Sequence, residues 1–179
     1  MSILADLHVH SCASIDGRSS IASLIETAKT RGLSAITISD HDLCTPLPSC
    51  SDVLLIPGVE ITSSNGHILG LFLERSVDFD ALGKYPAPLQ AIDAIHAAGG
   101  LAVLAHPFAP VKLTASEILA LPFDAIETAN ARAMLKTGAN EKAAALARQA
   151  KLPGTGGSDA HIGISKSFPR AEDAHAAYL

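Results

Sequence analysis

The chain has 179 residues, about one domain's worth, and its 48% hydrophobic composition supplies a core, which excludes both a disordered chain and a multidomain machine. Thirteen Lys and Arg against 18 Asp and Glu give a net charge of -5, and the only aromatics are five Phe and two Tyr. A general nucleic-acid binder needs the reverse, a basic face with stacking rings. In chain order, Ile3 to Val9 reads as a strand, and Ser19 or Ser20 caps a helix whose apolar residues Ile21, Leu24, Ile25 and Ala28 recur at helical spacing. Gly32 ends it. Ser34 to Ser39 is a buried strand, and Val53 to Ile61 and Gly66 to Leu73 can pair as a hairpin around Ser63-Ser64-Asn65-Gly66. Leu89 to Ala98 is helical and Gly100 to Ala105 a strand; Thr114 to Glu117 is a capping box. Asp124 to Thr128 is a short strand, Asn140 caps an Ala-rich helix to Ala150, and Pro153 to Ser158 leads into a last motif. Alternating strands and helices of this kind predict an α/β domain built on a mostly parallel sheet or barrel.

Six of the eight histidines stand at the ends of apolar runs. In Asp6-Leu7-His8-Val9-His10 the two imidazoles lie two apart on a strand, so they project to one face and can share a dication. Asp6, one step deeper on that face, is placed to accept the second ring N–H of a ligand histidine. Asp40-His41-Asp42 follows the buried second strand, Glu60 closes an apolar run, and His67 opens another. His106 ends the strand Leu101 to Leu104, and Asp159 with His161 repeats the i, i+2 spacing. Acid or imidazole at each strand's end is where barrel enzymes gather their catalytic groups. The mixture of nitrogen and oxygen donors suits zinc, manganese or iron better than calcium. His96, one turn after Ile92, reads as a partly buried packing residue, and His175 as part of a solvated tail.

Cys12, Cys44 and Cys50 are an odd number without CxxC spacing, so no disulfide partner and no thiolate zinc site are expected, and Cys12 reads as a small buried thiol. Met1 to Ser11 lacks the basic-then-apolar order of a leader, and no run nears the ~18 apolar residues of a membrane span. The expected location is the cytoplasm, with no membrane partner.

The pieces DLHVHS, the Asp of SIDG, ISDHD, GVEIT, GHILG, LAHP, IETANAR and GGSDAH together resemble the PHP (polymerase and histidinol phosphatase) family of metal-dependent phosphoesterases, over nearly the whole chain. The resemblance implies a distorted (βα)7-like barrel in one domain, residues 1–179, and a site for three divalent metals. By analogy His8, His10, Glu60 and Asp159 would hold one ion. Glu60 would bridge to a second held by His67 and His106, and Asp16, His41 and His161 would hold the third. Asp16 also fits a simple turn with Gly17 at positive φ. Two departures bear on substrate. Several nucleotide-cleaving relatives place an Arg soon after the His-Pro pair, where this chain has Phe108-Ala109-Pro110, and the chain ends soon after His161, so the last βα unit should be shortened and the rim open.

Three dications against Asp16, Glu60 and Asp159 leave about +3 in the cleft, so an anionic substrate is drawn to the metals. A water between two such ions ionises near neutral pH, and no Ser or Cys nucleophile is needed. Arg18, Arg132 and Lys166 are the candidates for gripping phosphate, Arg132 foremost because TANAR resembles the family's own segment. Glu127 would hold a ligand in place, and Asp40 or Asp42 would orient water or protonate the leaving group. The predicted activity is hydrolysis of a small phosphorylated substrate, a monoester foremost, with a short oligonucleotide also open. An amidohydrolase-like enzyme is the rival, but no Lys stands at a strand end to form a carbamate bridge, and such enzymes are usually longer. A non-catalytic metal-binding module is the other, and it conflicts with a ligand type at every position.

Overall fold

The computed structural model describes residues 3–108, 113–136 and 138–162. Seven strands, β1 (Ala5–Val9), β2 (Ala35–Ile38), β3 (Leu54–Ser63), β4 (Gly66–Leu71), β5 (Leu101–Leu104), β6 (Ala125–Asn130) and β7 (Gly154–Gly157), neighbour one another in chain order. All adjacent pairs are parallel except that β4 runs antiparallel to β3 and β5. The sheet curls back on itself: Asp159 N donates to His8 O and His10 N to Ala160 O, both at 2.8 Å, joining the end of β7 to β1. A nearly closed, barrel-like sheet results. This is the distorted (βα)7-like barrel that was expected, and its distortion lies where helices are missing between strands, since a hairpin needs only a tight turn whereas a parallel crossover needs a longer one. β3 turns into β4 through Ser64 and Asn65, and β2 reaches β3 without a helix.

Among the described residues five helices pack on the outside: α1 (Ile21–Thr30), α2 (Phe79–Leu82), α3 (Pro88–Ala97), α4 (Ala115–Ala120) and α5 (Ala139–Ala150). Ser20 caps α1 by accepting from Ser23 N at 3.2 Å, and Gly32 leaves it at φ 71°. The capping box at α4 forms as expected, with Thr114 and Glu117 each bonding the other's backbone N–H. Asn140 is not a cap: α5 starts one residue earlier, after Gly138, and the Asn140 amide instead accepts from Asn130 N and donates to Asn130 O, tying α5 to the end of β6. The helix α2, capped by Asp78, and the 3-10 turn Arg132–Leu135 were not foreseen, since four residues are too few to show a period.

The core lies mainly between sheet and helices. Ile61, Ile68, Leu104 and Ile126 meet Ile92 and Ile95 of α3 and Leu146 of α5, while Leu24 and Ala28 of α1 cover Val9, Ile36 and Ile38. Each fully buried Ile or Leu contributes roughly 1.5–3 kcal/mol. Inside the barrel Leu69, Leu71, Val103, Ala105 and Ala125 form a smaller plug. Above that plug, at the carboxyl ends of the parallel strands, the buried side chains turn from apolar to polar. Among the described residues no helix is long and apolar enough to cross a membrane, and the three cysteines are unpaired.

Candidate metal centre

Glu60 is the hub of this polar layer. It is 1% exposed on β3, and five imidazoles surround its carboxylate. Oε1 lies 3.0 Å from His67 Nδ1 and 3.0 Å from His106 Nε2. Oε2 lies 3.1 Å from His10 Nε2, 3.2 Å from His8 Nε2 and 3.4 Å from His41 Nδ1. Strand geometry explains the convergence. His8 and His10 project to one face of β1 and its extension, both fully buried, with their Nε2 atoms 3.1 Å apart. Glu60 stands opposite Leu69, so His67, two residues back on β4, is its diagonal neighbour on the same face. His41 continues β2 beside β3, since Glu60 N donates to Asp40 O and Asp42 N to Glu60 O.

Asp159 closes one side, with Oδ1 at 3.5 Å from both His10 Nε2 and His161 Nδ1 and 3.7 Å from His8 Nε2. Asp16 closes another, 2.8 Å from His161 Nε2 and 3.6 Å from His41 Nε2. All nine sequence-predicted ligands therefore meet in one place. They fall into overlapping groups, His8, His10 and Asp159; His8, Glu60 and His106; His41, Glu60 and His67; and His10, Asp16, His41 and His161. Within each group the donor atoms lie within 4.8 Å of one another, compatible with ligands ~2.0–2.2 Å from a common ion. The donors fit dications: the buried Nδ1 atoms of His41 and His106 have no hydrogen-bond partner, His41 Nδ1 facing Glu60 without hydrogen-bond geometry. His106 and Asp159 hold φ at 24° and 55°, a left-handed backbone that non-glycine residues avoid except where the surroundings impose it.

Glu127, on β6 and 1% exposed, holds the ligands in position. Its Oε1 lies 3.0 Å from His8 Nδ1, and its Oε2 accepts from His106 N at 2.7 Å and Asn130 Nδ2 at 3.0 Å. This corrects the expectation for Asp6, whose Oδ1 accepts from Ser158 N and His8 N and never reaches an imidazole, because a side chain two residues away on the same strand lies deeper in the barrel. Two positioning residues escaped the sequence reading. Ser14 Oγ donates to Asp16 Oδ1, accepts from His41 N and lies 3.4 Å from His10 Nδ1. Asn130 Nδ2 donates to Asp159 Oδ2 as well as to Glu127. Neither carries a metal-ligand or acid signature that a motif could reveal.

Other expectations need correcting. Asp40 cannot serve substrate: it is fully buried, Oδ1 accepts from Ser11 N, and Oδ2 accepts from Ser11 Oγ and Thr45 Oγ1, so it anchors the loop carrying Asp16. Asp42 is exposed and its Oδ1 holds Thr62 N at 2.8 Å. Gly17 is not at positive φ; it is needed for space, since a Cβ there would collide with the Ser11 carbonyl. Cys12 is exposed, and so is His96, which pairs with Asp124 at 2.8 Å near the opposite end of the barrel. Arg132 is half-buried, its Nη1 at 2.8 and 2.9 Å from the two ring nitrogens of His161 and 3.4 Å from Asp159 Oδ1. The Arg18 side chain is exposed, its backbone N–H held by His161 O. Lys166 and His175 lie outside the described residues.

Charge explains the protonation pattern. Burial disfavours charged imidazoles, but the Glu60, Glu127 and Asp159 carboxylates outweigh it and raise His8. His10 is likewise pushed up to about 9, by hydrogen bonds to Asp159 and Glu60 against its burial. His106 rises too, burial again yielding to Glu60. Burial would raise Glu60 and Asp159, yet the surrounding imidazoles hold both well below the usual carboxylate range. His161 goes the other way, lowered by burial and by the nearby His10 and Arg132 charges despite Asp16. A ligand nitrogen needs its lone pair, so metal uptake must expel these protons. Adding a dication to metal-free protein at neutral pH is expected to acidify a weakly buffered solution, with affinity rising toward about pH 9 as His10 loses its proton. Titrations showing pH-independent affinity and no proton release would place the binding ligands elsewhere.

The PHP domain profile matches residues 6–106, and a profile described as PHP-associated matches residues 137–163. The chain belongs to the PHP domain family. An uncharacterized protein of Methanocaldococcus jannaschii is 29% identical over 144 residues, 71% of this chain and 81% of that one. A candidate metal-dependent phosphoesterase of Bifidobacterium adolescentis has the same fold at TM-score 0.72 and 20% identity, over 90% of this chain and 89% of its own. An amidohydrolase of Chromobacterium violaceum, solved with bound sulfate and no metal, matches at TM-score 0.68 and 19% identity, over 88% and 87%. The fold is thus shared by proteins named for two kinds of hydrolysis, and the choice between them falls to the site.

Proposed function

We propose that the chain, as a single domain of residues 1–179, hydrolyses phosphomonoesters with divalent metals held at three neighbouring positions. The observation that carries this reading is Glu60, whose two oxygens face separate sets of imidazoles, His67 and His106 on one side and His8, His10 and His41 on the other. His8, His10 and Asp159 would hold one ion with Glu60, His67 and His106 a second with the same carboxylate, and Asp16, His41 and His161 the third. Bound dications supply Lewis acidity, bringing the ionisation of water to near pH 7 and neutralising phosphoryl oxygens. The chain's own residues set the stage for that. Glu127 fixes His8 by its Nδ1, leaving Nε2 toward Glu60, and Ser14 and Asn130 hold Asp16 and Asp159. Among the described residues Arg132 is the cation against the cluster that would donate to a phosphate oxygen.

Metal analysis of protein purified without chelator, paired with assays on phosphomonoester, phosphodiester and amide substrates, tests the reading. Bound metal with monoesterase activity that chelation removes and metal restores is expected. Turnover of amides alone, or full turnover after exhaustive chelation, would overturn it. If Arg132 grips phosphate in ground and transition states alike, Arg132→Ala should raise KM about tenfold, more than it lowers kcat, at unchanged metal content. Unchanged kinetics would assign the guanidinium only to bracing Asp159 and His161.

A further inference from the structure

We infer that Asn130 is a positioning residue that couples the arginine gripping phosphate to the carboxylate facing the metals, an inference that rests on the proposed roles of Arg132 and Asp159. Glu127 and Asn130 stand three apart at the end of β6, and in a regular strand an odd spacing sends side chains to opposite faces. Here both are 1% exposed, with Thr128 half-buried and Ala129 exposed between them. The cause is a β-bulge. Glu127 pairs with Thr155 and Ala129 with Gly156, so β6 carries one residue more than β7 across this stretch, and the side chains beyond it change face. The bulge thereby brings Asn130 into the barrel beside Glu127.

Both polar atoms of that amide are then in use. Nδ2 donates to Glu127 Oε2 at 3.0 Å and to Asp159 Oδ2 at 3.3 Å, while Oδ1 accepts from Ala133 N at 2.8 Å. Two acidic acceptors and one backbone donor are a set that an amide of this length meets. Aspartate would turn an oxygen toward both carboxylates, and alanine would leave all three buried partners without it. The bond to Ala133 fixes the 3-10 turn Arg132–Leu135 against the end of β6. From that turn Arg132 places Nη1 3.4 Å from Asp159 Oδ1, the carboxylate oxygen that Asn130 does not take. Asp159 is therefore held on one oxygen by Asn130 and on the other by an arginine whose own turn Asn130 holds. Losing the amide frees the acid and the guanidinium together, so a phosphate group would no longer find its cation at a fixed distance from Asp159.

The test is a double-mutant cycle on the metal-saturated full chain, with methylphosphonate, whose P–C bond a phosphatase does not hydrolyse, as the calorimetric probe. Arg132→Ala and Asn130→Ala should each weaken the probe about tenfold. The double variant should lose no more than about twofold beyond Arg132→Ala alone, since Asn130 acts on phosphate through Arg132. Metal affinity reads the other arm: Asn130→Ala should lower it several-fold through Asp159 in either background. Asn140→Ala is the structural control. It removes the two bonds that tie α5 to the Asn130 backbone and touches neither carboxylate, so it should lower thermal stability and leave both affinities unchanged. Asn130→Ser, which keeps a hydroxyl for one of the three buried partners, goes through the same cycle, so a folding failure of the alanine variant still leaves the coupling measurable. Additive losses in the double variant, a probe affinity that either single variant leaves unaltered, an unchanged metal affinity in Asn130→Ala, or matching losses in Asn140→Ala overturn the inference. Turnover of a phosphomonoester is followed in parallel. Coupling without turnover would leave the Asn130 assignment standing and remove the hydrolytic reading beneath it.

Discussion

Glu60→Gln is expected to lower metal content and to cut kcat by about 10³ or more, on the order of 4 kcal/mol of barrier. A carboxylate can bridge because each oxygen donates to a different ion, whereas an amide offers one good oxygen and a nitrogen whose hydrogens repel cations. In this site the amide nitrogen would have to face either the His67 and His106 pair or the His8, His10 and His41 set, and whichever it faces loses its shared acidic ligand. The fold should survive, because β3 is held there by backbone pairing of Glu60 with Leu69 and by apolar neighbours Val59 and Ile61 that the substitution does not touch. His96→Ala, which removes a ring paired with Asp124 far from the cluster, is the matched control. Metal per chain, turnover and a thermal melt are measured together. Full metal content and near-normal turnover in a folded Glu60→Gln protein would sink the bridging assignment, and the site would have to be rebuilt around other acids.

Most of the clustered acids and imidazoles were legible because two periodicities speak directly about where side chains go, whereas Asp16 rested on the family resemblance. Alternation along a strand puts His8 beside His10, and a barrel gathers the ends of parallel strands, so Glu60, His106 and Asp159 arrive together from segments far apart in sequence. The hairpin at Ser63 to Gly66 was legible from its turn residues, and its consequence, β4 running against its neighbours, is what brings His67 at the start of a strand to the end where the others finish. Supporting contacts were not legible, for they are set by packing across the barrel. Asp6 is near His8 in sequence and Glu127 is not, yet β6 lies one strand beyond β7 in the curled sheet and delivers its carboxylate to Nδ1, while Asp6 is spent on Ser158 N. Asp40 looked available because it flanks a candidate ligand; the two loops carrying Ser11 and Thr45 close over it and use both oxygens. His96 followed the apolar stripe of α3 closely enough to read as core, but the buried stripe runs through Ile92, Ile95 and Ala98, and His96 falls just outside it.

Glu127→Gln isolates the orienting role of that carboxylate from mere bulk, since the replacement has the same shape. Glu127 accepts three hydrogen bonds: Oε2 takes His106 N–H and the Asn130 amide, and Oε1 takes His8 Nδ1–H. Both donors at Oε2 lack an alternative form, so the glutamine must place its single oxygen there and turn its NH2 toward His8. Nδ1 then becomes an acceptor, and the neutral ring must carry its proton on Nε2, the atom that lies 3.2 Å from Glu60 and 3.1 Å from His10 Nε2. A nitrogen that bears a proton cannot ligate. Metal affinity should therefore fall by about 10–100-fold, with kcat falling at subsaturating metal and recovering partly as metal is raised. Glu127→Asp, too short to span the gap but unable to donate, should loosen His8 without inverting its tautomer and lose less. The checks are a metal titration followed by competition with a chelator, and the ring-nitrogen shifts of His8 in the metal-free variants at a pH high enough to leave the ring neutral. Unchanged metal affinity in Glu127→Gln, or a His8 that keeps its proton on Nδ1, would show that the ring is not oriented by the carboxylate.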